Sequence, residues 1–193
     1  MQIQKSHIIT MDGFLKKTGD VRQLLVYKTA NMVSLLTEYF VDKYISSKSR
    51  TVDQMQQAAR SCKQNIVEGF EAGYTSMETE IKLTNVARAS LGELYEDYLD
   101  YLHFHHLLIW SESNTERLNR MRQYTRTPQF ASEFETLLPR LSPEELCNLA
   151  ITLIKQTQYL LSRLLESQQR RFLQNGGIRE QMTRARLNYR NKR

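Results

Sequence analysis

Between Thr51 and Leu102 apolar residues recur every three or four positions, and only Ala72-Gly73-Tyr74-Thr75 breaks the pattern. Val52, Met55, Ala59, Cys62, Ile66 and Phe70 fall on one face of an α-helix, a stripe that has to be buried. After the break Ile81, Thr84, Leu91, Leu94, Tyr98 and Leu102 form a second stripe, with Leu83, Ala87, Ser90 and Tyr101 beside it. Gly73 suits the left-handed residue that ends many helices, and Thr75 with Glu78 has the spacing of a capping box. Two long helices joined this tightly are antiparallel neighbours, which predicts a helical bundle.

The rest of the chain extends that pattern. Residues 1–19 form a lead-in in which Gly13 and Gly19 argue against a continuous helix, while Ile3, Ile8, Ile9 and Phe14 offer apolar contacts. Residues 20–110 hold the first three bundle helices, the first capped by Asp20 and lined by Val21, Leu25, Met32, Leu36, Tyr39 and Phe40. Residues 111–141 are an insertion with room for two short helices, from Asn114 to Tyr124 and around Phe130, Phe134, Leu137 and Leu138. Ser142-Pro143-Glu144-Glu145 starts the fourth bundle helix, over 142–175, with serine as cap, proline in the first turn and Glu145 closing the box. Its inward face is Leu146, Leu149, Leu153, Leu160, Leu164 and Leu165, and Gly176-Gly177 ends it. Residues 176–193 form a basic tail. The expected class is therefore all-α: an antiparallel up-down four-helix bundle with a helical insertion before the fourth helix and a basic C-terminal extension.

Charge adds a second constraint. The chain carries 27 Lys and Arg against 21 Asp and Glu, a net +6. Six of the basic residues (Arg179, Arg184, Arg186, Arg190, Lys192 and Arg193) follow Asn175 with one acid, Glu180, so the tail holds +5 and the remainder +1. Such asymmetry points to a polyanion, the alternative being a solvated terminus. Arginine forks bind two phosphate oxygens at once, Tyr189 can stack on a base, and Arg170 and Arg171 extend the patch. No stretch approaches the roughly 18 apolar residues of a membrane span, and no signal-peptide pattern opens the chain. The two cysteines, Cys62 and Cys147, sit on apolar stripes and read as buried thiols of a reducing compartment, which makes a cytoplasmic location the expectation.

Two blocks carry a family resemblance. Ala59-Arg60-Ser61 followed by Asn65-Ile66-Val67-Glu68-Gly69, and Ala87-Arg88-Ala89-Ser90-Leu91-Gly92-Glu93-Leu94, resemble signatures of the four-helix-bundle proteins first met in intervening sequences of ribosomal RNA genes. That superfamily includes the accessory protein of diversity-generating retroelements, and this chain is similar to its subgroup with a C-terminal suffix. The resemblance spans roughly Leu24 to Trp110, with the fourth helix in place. It implies an antiparallel bundle, often in homopentameric rings, and for the retroelement members binding to nucleic acid and to a reverse transcriptase. It implies no catalytic residues.

Other polar groupings read more simply as structure. Asn65, Glu68 and Gly69 lie where the second helix becomes a turn, and a structural cluster pairs Glu68 with Arg88 while Gly69 admits a close neighbour. Asp100 and His103 share a helix face, but metal-binding bundles need further carboxylates and a second such pair. Glu93, Glu96, Asp97 and Asp100 form an acidic strip expected to be solvated. No Walker loop, G-x-S-x-G elbow or C-x-x-C occurs. The expected function is a non-enzymatic, self-associating protein that binds the backbone of RNA or DNA as an accessory or adaptor. The alternative is a structural or protein-interaction module with no nucleic-acid role. No cofactor, metal or membrane partner is expected; a homo-oligomer, nucleic acid and a protein partner are.

Overall fold

A computed structural model describes residues 19–191, which are helical and contain no strand. The lead-in up to Thr18, and Lys192 and Arg193 of the tail, lie outside the described residues. In chain order the α-helices are α1 (Leu25–Tyr44), α2 (Arg50–Ala72), α3 (Met77–Phe104), α4 (Trp110–Ser113), α5 (Thr115–Tyr124), α6 (Pro128–Leu137), α7 (Pro143–Asn175) and α8 (Ile178–Asn191). Residues 178–191 of the tail are thus a helix of their own, and α4 adds a single turn ahead of the two short helices expected in the insertion. No helix among the described residues is long and apolar enough to cross a membrane.

The four long helices meet in a cycle: α1 packs on α2, α2 on α3, α3 on α7, and α7 on α1. Cross-contacts give the directions. Ser61 on α2 meets Ser90 on α3, and Gln168 near the end of α7 meets Glu80 and Thr84 near the start of α3. Phe40, Ala59, Leu91, Leu94, Tyr98, Leu102, Leu146, Leu149 and Leu153 are buried in one core. Within it the Tyr98 hydroxyl lies 3.0 Å from Thr37 Oγ1, and Thr37 donates to the Val33 carbonyl, so the buried polar atoms are paired.

Several helix ends depart from the sequence reading, each for a local reason. Asp20 caps a 3₁₀ turn (Val21–Gln23), and Leu24 is extended, so α1 begins a register later. Val26 therefore faces the core, while Leu25 points outward at 61% exposure. Ser76, not Thr75, caps α3: its Oγ accepts from the Thr79 amide at 3.2 Å. Glu78 instead pairs with exposed Lys82 at 2.7 Å. Gly73 is right-handed, with φ −59° and ψ −18°. Space, not a left-handed turn, calls for glycine there, since a Cβ would sit 2.6 Å from Glu80 Oε2. The capping box of α7 forms as read, with Ser142 Oγ accepting from the Glu145 amide and the Ser142 amide donating to Glu145 Oε2.

A polar clasp fixes the insertion to α7. Asn148, only 2% exposed, accepts from the Trp110 amide at 2.9 Å and donates to the carbonyls of Leu108 and Glu144. Trp110 Nε1 donates to Glu144 Oε1 at 2.8 Å, and the Arg117 guanidinium stacks 4.1 Å over the indole while pairing with Glu145. A buried amide left without a partner costs about 1–3 kcal/mol, and the partly buried Leu108 carbonyl less. Asn148→Ala is therefore expected to lower unfolding stability by about 2–3 kcal/mol. Trp110 is the chain's one tryptophan, so denaturant titration followed by its emission measures this directly, and the folded-state emission should shift to the red.

Candidate nucleic-acid interface

Arg179, Arg184, Arg186 and Arg190 belong to α8, of which no residue is buried. Gly176, at φ 70°, turns the chain out of α7, and the Glu180 carboxylate accepts from the Gly177 amide at the new helix start. Gln181 reaches Met77 Sδ at 3.7 Å and so touches the start of α3. Helical spacing then sorts the side chains. Arg179, Arg186 and Arg190 stand seven and four residues apart on one flank, beside a strip of Ile178, Met182, Ala185 and Tyr189. Arg184 lies on the opposite flank and donates to the Asn175 carbonyl. Among the described residues none of Arg179, Arg186 and Arg190 forms an ion pair.

Arg170 and Arg171, grouped together in sequence, part company in space. Arg170 is exposed and bonded only to the Glu166 carbonyl on its own helix. Arg171 is instead paired across helices with Glu80, a carboxylate 6% exposed. Gln168 Nε2 donates to Glu80 Oε1 at 3.2 Å and to Thr84 Oγ1 at 3.0 Å, completing a polar cluster between α3 and α7. Arg171, expected to support phosphate binding, has its charge matched by a buried acid while its side chain stays partly exposed.

The Asn65, Glu68, Gly69 and Arg88 cluster also resolves into separate roles. Asn65 Nδ2 donates to Ser61 O and Oγ, and Ser61 Oγ meets Ser90 Oγ at 2.9 Å, tying α2 to α3. Gly69 is buried, and a Cβ on it would lie 3.3 Å from Leu83 Cβ, so the glycine permits the close approach expected of it. The Glu68–Arg88 pair does not form. Glu68 is exposed, and Arg88 turns along its own helix to donate to Asn85 Oδ1 at 3.0 Å. Glu80, absent from the sequence reading, is the buried acid of the region. Its partner lies on a helix far along the chain, beyond the reach of local spacing.

No group of three His, Cys, Asp or Glu side chains suited to a metal occurs among the described residues. Glu93, Glu96 and Asp100 are exposed and Asp97 is half-buried. Burial pushes the Cys62 thiol up to about 12 and raises Cys147 further, so neither is a ready nucleophile. No protein-family model matches the chain, and no match was found among curated proteins or solved structures.

Two measurements follow from these charges. Removing one partner of a buried ion pair strands the other, a loss of about 3–5 kcal/mol when fully enclosed. Arg171 is partly open to water, so Arg171→Ala is expected to lose about 2–3 kcal/mol in urea unfolding, against under about 0.5 kcal/mol for Arg170→Ala. Second, burial, then Asp100 and Glu93, raises the Asp97 carboxyl above its ordinary range. A raised acid costs stability as pH climbs from about 4 through the folded value, because the unfolded chain gives up its proton first. Asp97→Asn should therefore raise Tm at pH 7, with the gain vanishing in scans near pH 3.

Proposed function

We propose that this protein is an antiparallel up-down-up-down four-helix bundle that self-associates and binds the backbone of RNA or DNA through α8, acting as an accessory without catalytic chemistry of its own. The observation that carries the reading is the flank of Arg179, Arg186 and Arg190 on an exposed helix, with no carboxylate among the described residues paired to any of them. Phosphates attract such a row without regard to sequence, and each contact releases condensed counterions. Arg190 leads into Lys192 and Arg193, and Arg170 adds a cation at the end of α7. The neighbouring Met182 and Tyr189 offer faces for a base or sugar. The resemblance of the α2 and α3 blocks to the intervening-sequence superfamily supports the bundle, the self-association and the nucleic-acid partner together.

A second reading draws on a specific feature of the same region. Leu173 is 81% exposed at the end of α7, and Met182 and Leu187 are about half exposed on α8. Those apolar groups suit a protein partner or a second copy of the chain, in a module with no nucleic-acid role.

The charge-reversed triple variant Arg179→Glu, Arg186→Glu, Arg190→Glu separates the two. Under the nucleic-acid reading, anisotropy titration of a labelled oligonucleotide shows at least about a tenfold loss of affinity, and the slope of log affinity against log salt becomes shallower by about 2–3. Unchanged affinity and slope would sink the assignment of α8 as the binding element. A change confined to the mass of the particle in solution would favour the interaction module.

A further inference from the structure

A groove of about 810 Å³ opens between the first turns of α1, the α5–α6 junction and the middle of α7, and none of its lining residues belongs to α8. Its apolar lining includes Leu25, Met32, Phe130 and Leu160. Phe130 is 1% exposed and held edge-on between Tyr124 and Phe134, so it backs the groove as a fixed wall behind the more open Leu25, Met32 and Leu160. Gln156 Nε2 donates to Thr125 Oγ1 at 2.8 Å, fastening the α5–α6 junction to α7.

The rim is one-sided in charge. Lys28, Arg122, Arg126 and Lys155 line the groove, and no carboxylate does. Among the described residues none of the four forms an ion pair; Lys28 reaches the Gln23 amide oxygen and Lys155 stacks on Tyr95. Arg117 and Arg120 of α5 each pair with glutamates, while Arg122 of the same helix and Arg126 in the turn after it, both lining the groove, do not.

A second, independent feature points the same way. The positive ends of α1 and α6 both open here, since Leu25, Lys28 and Thr29 belong to the first turns of α1 and Pro128 and Ala131 to the first turn of α6. Helix N-termini are ordinarily matched by an acid in the first turn. In this chain α2, α3, α5, α7 and α8 each carry one, whereas α1 and α6 carry none. The N-cap of α1, Leu24, supplies no side-chain acceptor either. The uncapped end of α1, the end of α6 capped by Thr127 but lacking an acid, and four cations without ion pairs therefore surround one apolar depression whose volume lies in the range of small-molecule sites.

We infer that this groove is a binding site for a small amphipathic anion: a carboxylate, phosphate or sulfonate carried on an aromatic or hydrocarbon body. The body covers Leu25, Met32 and Leu160, and the anionic head lies among Arg122, Arg126, Lys28 and the α1 and α6 ends. The site is separate from α8, and the inference does not rest on nucleic-acid binding.

Anilinonaphthalene sulfonate, an aromatic anion, and phenylnaphthylamine, its uncharged counterpart, are the probes. Calorimetry with the full chain should give one saturable sulfonate site per chain, with clearly weaker binding of the uncharged probe. Arg122→Glu with Arg126→Glu should weaken the sulfonate at least about tenfold, since charge-assisted contacts are lost and repulsion replaces them. Lys28→Glu, on a different helix, should weaken it severalfold, and provides the test should the double variant fold poorly by circular dichroism. The α8 triple variant should bind as the parent does. Equal affinity for the two probes, no saturable binding, or loss on changing α8 and not the groove would each overturn the site.

Discussion

The side chain of Asn148 stands in for backbone that the fold lacks. Between the end of α3 and the start of α5 the chain crosses the surface of α7 in short segments, leaving a peptide carbonyl at Leu108 and an amide at Trp110 that no helix satisfies. One buried asparagine on α7 answers both and bonds the Glu144 carbonyl as well. Because an unpaired buried peptide group is costly, the insertion has one favoured seat, and Trp110, Glu144, Glu145 and Arg117 close around it. From that seat α5 and α6 project along α7, and the α5–α6 junction meets α1 across the groove. Without the clasp neither the groove nor the pairing of two helix N-termini across it would have fixed geometry.

Periodicity made the apolar faces of α2, α3 and α7 legible, because a stripe at three- and four-residue spacing has few ways to be buried. The start of α7 was equally legible, since the capping box is a purely local device. What the sequence could not convey were choices made by contacts between distant residues. Gly73 looks like a left-handed cap but is small because the Glu80 carboxylate occupies the space beside it. Glu80 itself looks like one more surface acid of a first turn, until Arg171 and Gln168 arrive from the far end of α7. Leu25 and Val26 differ by one position, and a 3₁₀ turn decided which is buried. Asn148, Thr152 and Thr157 interrupt the leucine stripe of α7 as polar residues, yet all three are buried, bonded to carbonyls one turn back.

The same limit applies to charge. Counting placed the excess in the tail, and that much is a property of the sequence alone. Folding then divides the cations into groups that counting cannot tell apart. Arg117 and Arg171 pair with acids inside the structure, so their charge is already matched there. Arg179, Arg186 and Arg190 become a row only because the tail is helical; an extended tail would scatter them. Arg122 and Arg126 become a pair on a groove only because α5 ends where α6 begins.

These last two groups present different physics, and the difference bears on what each can bind. The α8 row is convex and wholly exposed, so its attraction is screened within about 8–10 Å at physiological salt and suits a partner that brings many charges. The groove is concave, with a low-dielectric floor and helix dipoles behind its rim, and such a setting strengthens attraction to a single charge. An apolar body on the ligand adds burial that a bare ion lacks. A polyphosphate backbone has no apolar body to cover Met32 and Leu160, and a small amphiphile has too few charges to span the α8 row. The two cationic surfaces therefore select for different ligands even though both are built from arginine and lysine.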